Sequence, residues 1–192
     1  MSAIIRNLSL LLLLVLAFIA CEDEVVPKPK ALLHLDYPEA EYQQFSSTAI
    51  PYEFVYNARA NPKLNKDQTL EITYPAQKAR IFLNYRSIED YPLDSLLRDA
   101  QKFTLEHVIK ATEILDRPFI NEEQQVYGML YEVRGNAASS TQFYATDSLA
   151  HFLYGSVYFD AKPNYDSILP AIYYLRNDAR ILLESLVWKT DE

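Results

Sequence analysis

The chain has 192 residues, 49% hydrophobic and 23% charged, with a mean hydropathy of -0.14. This is the profile of one well-packed domain, not of a disordered tail or of two full cores. Eighteen Lys and Arg against 26 Asp and Glu give a net charge of -8, which excludes a general nucleic-acid binder because neutralising phosphates needs a basic face. A single cysteine leaves no intrachain disulfide and no four-thiolate metal site, and three glycines leave no G-x-G-x-x-G or Walker loop.

Residues 1–7 carry Arg6 and no acid, and Leu10 to Ala20 are eleven consecutive apolar residues. A spanning helix needs about 20 such residues, so the stretch fits the apolar region of a signal peptide. It ends in Ala17-Phe18-Ile19-Ala20-Cys21. A small residue directly before the only cysteine resembles the lipobox of bacterial lipoproteins, with Phe18 standing where Leu is usual. That resemblance implies cleavage between Ala20 and Cys21 and a covalent lipid, such as palmitate, on Cys21. The plain alternative is an ordinary secretory signal with a chance cysteine. Acyl chains contribute about 0.8 kcal/mol per buried methylene, so two or three of them anchor a domain stably. The acidic run Glu22-Asp23-Glu24 is either a surface-export signal or a solvated tether. Residues 21–30, with Pro27-Lys28-Pro29-Lys30, read as an extended spacer, and one domain is expected over 31–192.

Within the domain, Tyr52, Phe54 and Tyr56 predict a one-sided strand. Leu70, Ile72 and Tyr74 predict another, joined through Pro75-Ala76-Gln77 to a half-exposed strand over residues 79–86. Leu93, Leu96, Leu97, Ala100, Phe103, His107, Val108, Ala111, Ile114 and Leu115 recur at spacings of three and four. They predict one long helix with Pro92 in its first turn and Pro118 barring its continuation. Val126–Val133, Gln142–Thr146 and Phe152–Phe159 read as strands apolar on both faces and therefore covered on both. A second helix is predicted from Ser167 to Trp188, with Asp166 as N-cap and Pro170 in the first turn. Ile172, Leu175, Ala179, Leu182, Leu183 and Leu186 form its buried stripe. Strands, long helix, strands, long helix make an α+β fold with a largely antiparallel sheet covered by the two helices. PsbP-like domains share this order, by analogy only.

Chemistry-bearing residues are sparse. His34, His107 and His151 have no metal-ligand spacing, and His34 with Asp36 supplies only two same-side donors. His107 reads as a semi-buried member of the helical stripe. Ser139, Ser140, Asp147 and His151 include the residue types of a hydrolase triad, but no G-x-S-x-G elbow frames the serines. Glu89-Asp90 and Glu122-Glu123 fall in turns as solvated carboxylates. No catalytic residue, metal site or cofactor beyond the lipid on Cys21 is expected, so the chain is read as no enzyme.

Aromatic content points elsewhere. There are 15 Tyr, nine Phe and one Trp, and tyrosine suits both half-buried sheet faces and protein interfaces. Tyr154-Tyr158 and Tyr173-Tyr174 exceed what one core needs, so Tyr154 and Tyr158 are candidate partner contacts. Phe82 stands out as the apolar member of a polar face that includes Arg80, Asn84 and Arg86. Gly135-Asn136-Ala137-Ala138-Ser139 is the other candidate contact: its alanines are too small for core and too uncharged for an ordinary loop. The alternative is a wide turn folded back on the sheet.

Four long strings complete the reading. They are KPKALLHLDYPEAEYQQF (Lys28 to Phe45), EHVIKATEILDRPFIN (Glu106 to Asn121), YGMLYEVRGNAASSTQFYATD (Tyr127 to Asp147) and AKPNYDSILPAIYYLRND (Ala161 to Asp178). In this order they resemble the GldD gliding-motility lipoproteins of Bacteroidetes, while Asn57 to Asp67 matches least and reads as a variable loop. The resemblance implies an accessory lipoprotein of the gliding and type IX secretion machinery. It would act by protein–protein binding and be lipid-anchored in the cell envelope, facing the periplasm or the cell surface. Only Cys21 carries over as a functional residue. A lipoprotein that captures a small ligand or cell-wall fragment between sheet and helix is the alternative, and a hydrolase the weaker third.

Overall fold

The computed structural model describes residues 35, 37–105, 110–160 and 164–189, all within the compact unit Leu32–Glu192. The alternation over residues 79–86 is realised as β5 (Ala79–Ser87), whose odd-numbered residues Ala79, Ile81 and Leu83 are fully buried. Its antiparallel neighbours are β4 (Leu70–Tyr74) and β9 (His151–Phe159). Outward from β9 follow β8 (Ser139–Thr146), β7 (Val126–Gly135) and β6 (Ala111–Asn121), and beyond β4 lies β3 (Asn61–Leu64). The result is a seven-stranded, wholly antiparallel sheet. A second sheet has β2 (Tyr52–Asn57) between β1 (Tyr42–Phe45) and β10 (Val187–Trp188).

The two faces of the large sheet are covered unequally. One face carries Leu70, Ile72, Ile81, Leu83, Phe143, Leu153 and Val157. It forms one core with Tyr52 and Phe54 of β2 and with Leu175, Ala179, Leu182 and Leu183 of α2 (Tyr165–Glu184). The other face carries α1 (Leu93–Leu105), which packs on β8 and β9. Its core is small: Leu96, Ala100 and Phe152, flanked by Leu97, Tyr144 and Tyr154.

The first helix is shorter than its apolar spacing predicts. α1 ends at Leu105, and Ala111, Ile114, Leu115 and Pro118 belong to β6. His107 and Val108 lie outside the described residues. Residues four apart share a face in a strand as well as in a helix, and the ladder with β7, running to Asn121↔Val126, decides for the strand. Pro118 is accommodated because β6 is the sheet's outer strand, and β3 at the opposite edge carries Pro62. Phe103, expected in the stripe, is 51% exposed, and Thr104 is buried instead.

The second helix begins at Tyr165, two residues early, so Asp166 lies inside its first turn and Pro170 is its sixth residue. Asn164 is the N-cap residue but makes no side-chain cap bond. The cap comes from the β7–β8 loop, where Asn136 Oδ1 accepts the Tyr165 amide at 2.9 Å. The helix stops at Ser185, whose Oγ bonds back to Ile181 O and Leu182 O and accepts the Val55 amide. Trp188 therefore sits in β10 opposite Tyr52. Part of the expected variable loop over residues 57–67 is the edge strand β3.

Arg176 of α2 reaches Glu132 of β7 at 2.9 Å, and Arg117 of β6 reaches the same carboxylate at 2.6 Å. Leu182→Ala should cost about 2–5 kcal/mol, the usual range for truncation in a full core. Gly155→Ala places a methyl inside the ring position of Phe143 and should cost about 1–3 kcal/mol through overpacking. Urea unfolding midpoints check both; an unchanged midpoint for either refutes this packing.

Candidate functional site

The thinly covered face contains an aromatic concavity. Register places Arg80 opposite Tyr158, Phe82 opposite Ser156 and Asn84 opposite Tyr154, all pointing away from the large core. α1 crosses beside them and leaves a cavity of about 680 Å³, with Leu96, Asp99, Ala100 and Phe103 on the helix wall. Phe82 and Tyr158 meet edge to face at 5.8 Å, and Phe103 tilts over Tyr154, also at 5.8 Å. The floor is held by hydrogen bonds: Gln142 Oε1 accepts from Tyr154 OH at 3.0 Å and from Thr104 Oγ1 at 2.9 Å. Arg80 is pinned by Glu71 and Asp160 at 2.9 and 2.7 Å, with its guanidinium 6.0 Å from the Phe82 ring.

On the other side of α1 the same face holds a second concavity of about 540 Å³, with Gln101, Thr104 and Leu105 on the helix wall and Ile114, Asp116 and Tyr131 on the sheet. Ile120 pairs with Tyr127 and Pro118 with Met129 across β6 and β7. Ile120 is 68% exposed and Tyr127 36%. Pro62 in β3 and Pro118 in β6 each remove one backbone donor from an outer strand.

The expected contact residues divide. Tyr154 and Tyr158 are half-buried and line the cavity. Within Gly135–Ser139, Ala137 and Ser139 are buried. Gly135 takes the left-handed turn at φ 103°, Asn136 caps α2, and Asn136 and Ala138 keep solvent exposure. The loop therefore has a structural task that its sequence conceals, because the helix it caps starts 29 residues later.

The triad residue types do not converge. Ser139 and Thr146 stand at opposite ends of β8, about 23 Å apart at the usual rise, and His151 follows the Thr146 end. His151 Nδ1 shares a hydrogen bond with Tyr85 OH at 2.8 Å, and its ring stacks on Trp188 at 5.0 Å. Asp147 Oδ1 accepts the amides of Leu149, Ala150 and His151 instead of an imidazole. Burial opposes ionisation there, but these amides outweigh it and hold the carboxyl below its ordinary value. Glu89, Asp90, Glu122 and Glu123 are exposed turn residues. Among the described residues no group of three His, Cys, Asp or Glu could hold a metal ion. Cys21, His34, Asp36 and the stretches expected as signal and tether lie outside those residues.

The family model of the gliding motility lipoprotein GldD matches residues 22–188. The chain belongs to the GldD family. It is therefore a gliding motility lipoprotein, and a lipoprotein is held at a membrane of the cell envelope by its covalent lipid. Among the described residues of this GldD-family chain, no helix is long and apolar enough to cross a membrane. No curated protein matches it. Among solved structures it is similar to cyanobacterial PsbP (CyanoP) from Synechocystis sp. PCC 6803, in solution. That match has 13% identity and a TM-score of 0.46, covering 85% of this chain and 99% of that one.

The GldD-family domain has a second polar centre that sequence reasoning missed. Asp178 interrupts the apolar stripe of α2 and is 4% exposed. It accepts from Tyr42 OH at 2.7 Å and from Asn57 Nδ2 at 2.9 Å, and Asn57 also donates to Tyr174 OH at 2.8 Å. These bonds tie β1 and β2 to the helix. Burial pushes the Asp178 carboxyl above its ordinary value, against the hydrogen bonds of Tyr42, Asn57 and Tyr74. A raised native value means that the folded state holds this proton more tightly than the unfolded chain does. Its favourable contribution is complete below the ordinary carboxylate range and is lost as pH rises through the native value. The stability of wild type minus that of Asp178→Asn should therefore fall, with sign kept, from about pH 3 to about pH 7, as read by urea unfolding. A rise of this signed quantity over the range refutes the upward shift.

Proposed function

We propose that this gliding motility lipoprotein is a non-catalytic accessory of a Bacteroidetes gliding and type IX secretion machinery. It acts from a lipid on Cys21 by binding another protein of that machinery, and it faces the periplasm. The family match begins at Glu22, the residue after the cysteine, which supports residues 1–20 as the signal and Cys21 as the anchored N-terminus. The observation that carries the binding role is the flank of β6 and β7, where, among the described residues, Ile120 and Tyr127 stand exposed beside one another. Exposed apolar residues grouped on a sheet face are the usual ground of a protein contact. Capture of a small ligand or cell-wall fragment is the second reading, and the 680 Å³ cavity beside α1 favours it.

Cys21→Ala should move the protein from the membrane to the soluble fraction while its melting temperature holds. Retention after a high-salt wash refutes anchoring through this residue alone. Crosslinking in cells followed by pull-down on the lipidated chain tests the contact. The double variant Ile120→Glu, Tyr127→Glu should lose the captured partner and stop gliding without unfolding. Gliding at the wild-type rate by a folded double variant places the contact elsewhere.

A further inference from the structure

The cavity between α1 and the β5–β9 pair has a chemistry distinct from that of the β6–β7 flank. Aromatic rings, Phe82 and Tyr158 on one side and Phe103 over Tyr154 on the other, offer apolar faces. Between them lie planar or hydroxylated polar groups: Asn84, Ser156 and Thr69. Asn84 takes the Thr69 hydroxyl at Oδ1 at 3.1 Å, and its Nδ2 hydrogens have no partner among the described residues. The charges of the lining cancel, with Arg86 at one position and Asp99 at another. A balanced lining in a chain of net charge -8 does not select an anion such as a phosphate or nucleotide. The polar groups are too many for a purely hydrocarbon occupant, since each would lose its water without a replacement bond. An extended peptide usually binds by adding a strand to a free edge, but the outer strands carry Pro62 and Pro118 and neither contributes to this lining.

The geometry points to a neutral saccharide as the occupant. A pyranose ring presents an apolar C–H face to an aromatic ring and a belt of hydroxyls, each both donor and acceptor, to amide, carboxylate, guanidinium and hydroxyl groups. Phe82, Tyr158 and Phe103 supply the first kind of surface; Asn84, Asp99 and Arg86 supply the second. This inference goes beyond the protein-binding role and is independent of it, because the β6–β7 flank shares no residue with the cavity. It gives the cell-wall-fragment reading a defined site and a ligand class.

The test uses the full chain in detergent micelles with three neutral hexasaccharides as probes, chitohexaose, maltohexaose and xylohexaose, followed by titration calorimetry. At least one should bind. Phe82→Ala and Phe103→Ala should each weaken that binding about tenfold or more, the scale of one lost stacking contact, with urea midpoints showing that both remain folded. Tyr173→Ala, on the exposed surface of α2, should leave the affinity unchanged. The proposal is overturned if none of the three saccharides binds at about 10 mM. It is equally overturned if folded Phe82→Ala and Phe103→Ala chains bind as wild type does. Loss of the crosslinked protein partner in Phe82→Ala cells without any saccharide binding would assign the cavity to a protein instead. Failure of the flank variants alone would count against the protein contact and not against this site.

Discussion

The nine-residue antiparallel ladder between β5 and β9 organises the domain. It joins the hairpins before α1 to those after it, and its register decides which residues meet the large core. With Ile81 opposite Val157 and Leu83 opposite Gly155, the core side is closed and apolar. The same register necessarily puts Phe82, Asn84, Tyr154 and Tyr158 on the opposite side. A shift of one residue would exchange the two sets completely, so the core and the cavity are specified by one pairing. Phe143 adds to this constraint, because its ring occupies the space that any side chain at position 155 would need.

The second constraint is the unequal cover of the two faces. A helix of 20 residues and the β1-β2-β10 sheet cover one side, while the other receives a helix of 13 residues that packs mainly on β8 and β9. At about 1.5 Å per residue α1 is roughly 20 Å long, and seven strands at about 4.8 Å spacing span roughly 29 Å. Among the described residues α1 has a concavity on each side, one aromatic beside β5 and β9 and one beside β6 and β7. The domain's two candidate functions follow from this single deficit of cover.

Much of this was legible in the sequence where the signal was local. The alternation of Ala79, Ile81 and Leu83 with Arg80, Phe82 and Asn84 marks β5 and also marks Phe82 as out of place on its polar face. The stripe of Leu175, Ala179, Leu182 and Leu183 marks α2. The β6 residues Ala111, Ile114 and Leu115 mislead because their spacing suits a helix, and only the ladder with β7 resolves the choice. Phe103 misleads for a related reason: it keeps the helical spacing, but the sheet beneath it has turned into a cavity. The Asn136 cap and the Asp178 cluster are non-local, linking residues 29 and 121 positions apart. No window along the chain contains them, although an acid on the apolar stripe of α2 is a visible hint of the second.

The prolines of the outer strands acquire a wider meaning once the chain is known to be a lipoprotein. Molecules confined to a membrane plane meet far more often, and in fewer relative orientations, than the same molecules free in solution. An antiparallel sheet with bare rims would, under such confinement, zip onto its neighbours and build ribbons. Pro118 interrupts the donor row along β6, and Pro62 does so within the four residues of β3. Each proline thus leaves a gap in the donor row at the place where a neighbouring sheet would have to pair.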